Sequence, residues 1–192
     1  LERGFLTSSI VNDAPVQIDP RRTGNQLWEP KNYDGRFDGP MTLREAMAKS
    51  KNMVSIRLLD AIGTQYGQSY VTRFGFDAER HPAYLTMALG AGSVTPWQMA
   101  AGYSVFANGG FRIEPYLISR ITDTQGRLLA QARPARAGDE ARRAIDARNA
   151  FLVDSLLQTV VTSGTGARAQ SLKRHDLAGK TGTTNEIGRA HV

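Results

Sequence analysis

The sequence predicts a mixed α/β (α+β) domain, and three observations support that prediction. Apolar residues recur at helical spacing in the middle of the chain, twice after a capping box. Residues 113–130 have the pattern of a β-hairpin, and Leu177 to Thr184 has that of a further strand. The composition, with 41% hydrophobic and 22% charged residues in 192, is that of a globular domain.

The first forty residues predict an extended loop with one or two short strands, such as Val16 to Ile18. Each proline removes a backbone donor and drives the residue before it out of the helical conformation. Such prolines recur through this segment at Pro15, Pro20, Pro30 and Pro40.

Helices are predicted next. The Thr42 hydroxyl can accept from the amide of Glu45 while Glu45 reaches back, which begins a helix that runs to about Lys49. A second helix is predicted from near Asn52 to a stop at Gly63.

A third helix is predicted from Gln65 to Phe74, with Gly75 as its C-terminal cap. After a turn rich in small residues at 85–92, Thr95 to Gln98 forms the second capping box, and its helix is predicted to run to Phe106.

The second half of the chain predicts a hairpin and one long helix. Ile113 to Ile121 and Arg127 to Ala130 are the two hairpin strands, joined by a turn. A linker at 131–138 leads to a helix from about Asp146 to Val161.

The charge pattern argues against a nucleic-acid partner. The net charge of +6, from 24 Lys and Arg against 18 Asp and Glu, is spread along the chain. Its densest stretch, Arg127 to Arg148, also contains acidic residues, so we interpret it as solvated surface. The chain has no cysteine, and its three histidines form no ligand-like pattern, so we expect no metal and no cofactor.

Two short motifs point to chemistry. Ser50-Lys51-Asn52 lies between two predicted helices, and Lys180-Thr181-Gly182-Thr183-Thr184 lies on the last predicted strand. Taken alone, each has a plain structural explanation: a helix-breaking turn with Asn52 as N-cap, and an amphipathic strand with a snorkelling lysine. Together, in this order, they are much more specific.

Together the motifs resemble the second and third signatures of the penicillin-binding protein and serine β-lactamase superfamily, whose first signature is Ser-x-x-Lys. Their surroundings resemble the bifunctional class A penicillin-binding proteins, whereas class A β-lactamases usually have aspartate in place of Lys51. The resemblance covers about residues 1–185 and rests on Asn32–Gly35, Leu43–Asn52, Ala88–Gly90, Val94–Pro96, Met99–Ala100, Phe106–Gly110, Ser163–Gly166 and Gly179–Asn185.

The resemblance implies the penicillin-binding transpeptidase fold, a central antiparallel sheet flanked by helices. We expect residues 1–185 to form a partial transpeptidase domain, truncated at both ends, that holds the helical subdomain and the Lys-Thr-Gly strand. It also implies D,D-transpeptidation of peptidoglycan stem peptides through a serine acyl-enzyme, which β-lactam antibiotics trap. D,D-carboxypeptidation shares these motifs and is the close alternative. A non-catalytic basic module that binds nucleic acid is the remote one.

The resemblance assigns two catalytic residues. Ser50 relays a proton to the leaving D-alanine amine, and Asn52 holds the substrate amide and the catalytic lysine, because an amide both donates and accepts.

The implied substrate-binding residues are Lys180, Thr181, Gly182 and Thr183. The cation and the two hydroxyls receive the substrate carboxylate, and the glycine lets substrate pair with the strand edge. The amide of Thr183 is one oxyanion donor.

The nucleophilic serine is missing from these residues. No serine is followed by a lysine three positions later, so we expect the nucleophile upstream of Leu1. The resemblance further implies a parent protein anchored in the membrane at the periplasmic face. An upstream glycosyltransferase domain in that parent would act on lipid II-derived glycan strands.

Residues 186–192 are expected to be a non-native tail. GAG ATC GGA AGA GCA CAC GTC encodes them, which resembles read-through of a common sequencing-library adapter. His191 then has no role, and a genomic locus that encodes this tail would contradict the idea.

Overall fold

The computed structural model describes residues 2–23, 25, 27–134 and 138–182. Its α-helices are α1 (Leu43–Lys49), α2 (Asn52–Ile62), α3 (Thr64–Val71), α4 (Pro96–Ala107) and α5 (Ala147–Ser163). Its strands are β1 (Ile10–Asp13), β2 (Gly39–Thr42), β3 (Arg120–Thr122) and β4 (Leu128–Gln131). Short 3₁₀ helices lie at Pro20–Thr23, Thr72–Phe74, Ala78–Arg80, Leu85–Leu89, Glu140–Arg142 and Ala167–Leu172.

The predicted mixed α+β class is confirmed. Among the described residues the strands form two antiparallel pairs, β1 with β2 and β3 with β4. In the first pair Ile10 lies opposite Thr42 and Asp13 lies opposite Gly39. None of the described helices combines the length and the apolar character needed to cross a bilayer.

Both predicted capping boxes are present and begin α1 and α4. The Thr42 hydroxyl accepts from the Glu45 amide at 3.2 Å, and the Glu45 carboxylate accepts from the Thr42 amide at 3.0 Å. Thr95 and Gln98 repeat the pattern at 3.1 and 2.9 Å. Each box satisfies backbone donors that a helix start leaves without partners.

The core consists of three packed clusters, and α2 contributes to two of them. Val54 packs with residues of β2 and α1, while Met53, Ile56 and Leu59 pack around Leu85. A third cluster joins α4 to the start of α5, and its buried members are Phe74, Val105, Ala144, Ile145 and Ala150. The two faces of α2 therefore fix the junction between α1 and α2 within the core.

Helix α5 packs against α1 and fixes the loop that follows it. The Arg44 guanidinium donates to the Ser155 carbonyl at 3.0 Å and to the Thr159 hydroxyl at 2.7 Å. The Thr165 amide donates to the Ala48 carbonyl at 2.9 Å. The end of α1 and the end of α5 are thus joined by direct backbone contact.

Three predicted strands differ from the structure. Val16 to Ile18 is not a strand, because its apolar side chains pack into the Leu85 cluster, and the strand is β1 instead. Of Ile113 to Ile121 only the end is paired, in β3, since Pro115 removes a ladder donor within the predicted run.

The predicted strand from Leu177 to Thr184 is wrong for residues 177–182, which pair with no strand among the described residues. A strand requires a neighbouring backbone ladder. Here the amide of Gly179 donates to the Leu157 carbonyl of α5, at 3.3 Å. Thr183 and Thr184 lie outside the described residues.

Replacement of Gly164 by alanine is expected to destabilise the protein. A Cβ atom there would overlap the carbonyl and Cα of Ala48, which are backbone atoms that cannot rotate away. We expect a loss of about 1–3 kcal/mol in the free energy of unfolding, measured by chemical denaturation. Gly179→Ala is the control, because a Cβ at Gly179 meets nothing within 4 Å. Equal stability of the two variants would contradict this close packing.

Candidate acyl-transfer site

Ser50 occupies a left-handed turn at the end of α1. Its φ of 55° and ψ of 48° put it in the αL region, where non-glycine residues are uncommon. The amides of Ser50 and Lys51 donate to the carbonyls of Met47 and Ala46, at 3.2 and 2.9 Å. This turn ends α1 and lets α2 begin two residues later.

Lys51, the middle residue of the triplet, is buried in a cluster of carboxylates. Its side chain is 2% exposed, and its ammonium lies 2.9 Å from Asp34, 3.3 Å from Asp38 and 3.4 Å from Asp13. Asp13 is fully buried. A buried ammonium is stable when paired and hydrogen-bonded in this way.

Asn32 joins this cluster to the first turn of α2. Its amide nitrogen donates to the Asp13 carboxylate and to the Arg36 carbonyl, both at 2.7 Å. Its amide oxygen accepts from the backbone of Asn52 at 2.8 Å and of Met53 at 3.3 Å. Asn32 therefore caps α2 from twenty residues upstream.

The charges of this cluster stabilise one another. Burial alone would lower the pKa of Lys51, but hydrogen bonds with Asp34, Asp38 and Asp13 outweigh it and raise the pKa. The pKa of Asp34 is lowered by the Arg36 amide and then by Lys51, and that of Asp38 by Lys49 and then by Lys51. These shifts favour the charged forms of Lys51, Asp34 and Asp38.

Lys180 brings the second motif to the first. Its ammonium donates to the Ser50 hydroxyl oxygen at 2.6 Å and to the Thr181 carbonyl at 2.9 Å. Burial lowers the pKa of Lys180. Within the described part of the chain, no carboxylate lies within ion-pair distance of this ammonium. The half-buried Lys180 ammonium can therefore bind an anionic ligand.

The other site residues lie around this pair. The Thr181 hydroxyl is 2.6 Å from the Thr165 hydroxyl, and Gly182 follows on the surface. The Asn52 side-chain amide donates to the Lys31 carbonyl at 2.7 Å, and among described residues no hydrogen bond joins it to Ser50 or Lys180. Thr183 lies outside the described residues.

The geometry fits anion binding and proton transfer. An ammonium has only donors, so the Ser50 oxygen accepts from Lys180 and its own O–H remains free to donate elsewhere. A cation, a serine hydroxyl and a threonine hydroxyl thus meet at one place on the surface. In the part of the chain that the structure describes, no group of His, Cys, Asp and Glu is arranged to hold a metal ion.

Comparison with known proteins accounts for this arrangement. Residues 1–191 match the family model described as the penicillin binding protein transpeptidase domain. The chain belongs to this family. Among its relatives, penicillin-binding protein 1A of Neisseria flavescens is 50% identical over 186 residues, across 97% of this chain and 23% of that protein.

A second relative, penicillin-binding protein 1A of Pseudomonas aeruginosa, is 40% identical across 97% of this chain and 28% of its own length. The chain thus spans about a quarter of the length of these curated relatives. The predicted resemblance to class A penicillin-binding proteins is confirmed.

Solved structures agree with the transpeptidase fold. The crystal structure of penicillin-binding protein 1A from Haemophilus influenzae superposes with a TM-score of 0.88 at 38% identity, covering 96% of this chain and 32% of that chain. The D,D-transpeptidase domain of a peptidoglycan glycosyltransferase from Eggerthella lenta has a TM-score of 0.74 at 22% identity, covering 95% and 49%. The second match shows the fold alone.

Two features of this candidate site were not predicted from the sequence. One is the carboxylate cluster around Lys51, although Asp- and Asn-rich residues between Pro30 and Pro40 were a signal that could have been followed. The other is the contact of Thr165 with Thr181. The structure does bring the two motifs together, through the contacts of Lys180 with Ser50 and with the Thr181 carbonyl.

Replacement of Lys51 by methionine is expected to lower the free energy of unfolding by about 3–5 kcal/mol, because Asp13 is left buried without its cation. Lys49→Met is the matched control. Lys49 also contacts Asp38, but its side chain is 54% exposed, so this change should matter little. Chemical denaturation of both variants measures the difference. Equal stabilities would show that Lys51 is not the residue on which this turn depends.

Proposed function

We propose that Ser50, Asn52 and residues 180–183 form the substrate-binding and proton-relay part of a D,D-transpeptidase that cross-links peptidoglycan stem peptides. The observation that supports this proposal best is the 2.6 Å contact between the Lys180 ammonium and the Ser50 hydroxyl. It joins the two family motifs although they are 130 residues apart in sequence.

In this proposal the nucleophile is a serine outside the 192 residues, which contain no Ser-x-x-Lys. That serine attacks the carbonyl carbon of the penultimate D-alanine, and its lysine partner takes the proton. The C–N bond to the last D-alanine then breaks. The lysine returns the proton through Ser50 to the departing amine. The amine of a second stem peptide then attacks the acyl-enzyme carbonyl and forms the cross-linking amide, the ester bond to the serine breaks, and the proton lost by the amine returns to the serine oxygen. By themselves these residues are expected to be unable to acylate.

Lys180 and Thr181 receive the carboxylate of the terminal D-alanine. The ammonium has three N–H donors and uses one for Ser50 and one for the Thr181 carbonyl, which leaves one for the substrate. Gly182 has no side chain, so an extended peptide can approach the backbone there. The Thr183 amide and the Asn52 side chain complete the proposed site, as donors to the oxyanion and to the substrate amide.

A β-lactam antibiotic fits the same site. Its carboxylate would bind Lys180 as the terminal D-alanine does, and its ring carbonyl would acylate the serine. We further propose that the full-length protein is anchored in the cytoplasmic membrane with this domain in the periplasm, and that a glycosyltransferase domain supplies glycan strands from lipid II. The family resemblance supports both proposals.

The function is tested with the full-length protein from the same genomic locus, whose sequence also reveals whether residues 186–192 are native. Ser50→Ala is expected to slow cross-linking of stem peptides about 10²–10⁴-fold, because the leaving amine loses its proton donor. Ser69→Ala, an exposed serine of α3, is the control. Rates of S50A and S69A within threefold of each other would overturn the proton-relay role. Release of D-alanine without cross-linked product would identify a carboxypeptidase.

The charge of Lys180 predicts an alkaline limit to carboxylate binding. Burial lowers the pKa of Lys180, so its charge is lost as the pH rises, and at a lower pH than the charge of a free lysine. We expect the acylation rate with benzylpenicillin to fall over that range. Benzylpenicillin methyl ester has no carboxylate and should lack this alkaline fall. An identical alkaline fall for both compounds would assign it to another group.

A further inference from the structure

The loop at 164–166, which follows α5, contacts both motifs of the site. On one side the Thr165 amide donates to the Ala48 carbonyl at 2.9 Å, and Gly164 lies directly against Ala48, two residues before Ser50. On the other side the Thr165 hydroxyl lies 2.6 Å from the Thr181 hydroxyl. None of the steps of the proposed reaction uses this loop.

The hydroxyl pair can be arranged in two ways, and a bound carboxylate selects one. Each hydroxyl has one proton to donate, and an ionised carboxylate can only accept. If Thr181 donated to Thr165, it would present a lone pair to the carboxylate and repel it. Thr181 can donate to the carboxylate when Thr165 is the donor within the pair.

The position of Thr165 suits this role. Both threonines are exposed, so a substrate can reach Thr181 without rearrangement. Thr165 is nevertheless fixed, because its own backbone is bonded to Ala48 at the end of α1. Chains of hydroxyl hydrogen bonds that end on a charged acceptor strengthen one another.

We propose that Thr165 is a positioning residue for the substrate carboxylate. Its hydroxyl donates to the Thr181 oxygen, which orients the Thr181 proton toward the carboxylate beside Lys180. The loop also keeps Thr181 at a fixed distance from Ser50, because the same residue is attached to α1. This inference rests on the proposed function, since it needs an anionic substrate at Lys180.

The test is the second-order rate constant of acylation of the full-length protein by benzylpenicillin and by its methyl ester. Thr165→Val removes the hydroxyl and keeps the shape. We expect up to about a tenfold loss of the rate constant with benzylpenicillin, the upper end of what one hydrogen bond between neutral groups contributes, and less than a twofold loss with the ester. Thr165→Ser keeps the hydroxyl and should restore the rate.

Two further variants separate positioning from folding. Thr162→Val alters a nearby exposed threonine of α5 whose hydroxyl donates to the Thr159 carbonyl, and it should leave both rates unchanged. In a double-mutant cycle, Thr165→Val should cause no further loss once Thr181→Val is present, because Thr165 acts through Thr181. Thermal unfolding of T165V and T162V should match the unchanged protein.

Several results would overturn the inference. T165V could be acylated as fast as T162V. Its acylation rate constant could fall by the same factor with benzylpenicillin and with the ester. In the double variant, the T165V loss of rate could add in full to the T181V loss. Failure of T165S to restore the rate would also overturn it. If the unchanged protein is not labelled by penicillin at all, the proposed function itself fails, which is a separate outcome from any of these.

Discussion

The ion pairing of the buried Lys51 ammonium with three carboxylates is the interaction on which the rest of the site depends. Its three carboxylates come from β1 and from the segment that follows Asn32, so one charge ties the first forty residues to the α1–α2 junction. Asn32 extends that tie to the backbone of α2. The left-handed conformation of Ser50 costs conformational energy, and charge pairing on one side and core packing of α2 on the other maintain it.

The two lysines of the site have opposite environments, and the difference explains their tasks. Lys51 is surrounded by carboxylates and its pKa is raised, so its charge is already neutralised within the protein. Lys180 is half-buried without an ion pair among the described residues, and burial lowers its pKa. A cation that is partly desolvated and not paired gains most from an arriving carboxylate. Lys51 therefore stabilises the fold, and Lys180 is available to bind a ligand.

Local features were predicted well and distant ones were not. The capping boxes of Thr42 and Thr95 were predicted because donor and acceptor lie within three residues. Strand β1 was missed because it pairs with β2, some thirty residues away, and no pattern in its own residues indicates which segment it pairs with. For the site, the family resemblance of the two motifs assigned Ser50 and Lys180 to the same active site. It did not predict the carboxylate cluster around Lys51, because Asp13 lies in β1 and the other two acids lie in an irregular loop without periodicity.

The separation of the two halves of the site in sequence has a consequence for the order in which they form. Ser50 and Lys180 are 130 residues apart, and the Thr165 loop that links them also comes late in the chain. The Lys51 cluster, by contrast, is complete once residue 51 has been synthesised. Such distant contacts form slowly, because a long loop must close first. A growing chain can therefore form the Ser50 turn well before Lys180 reaches it.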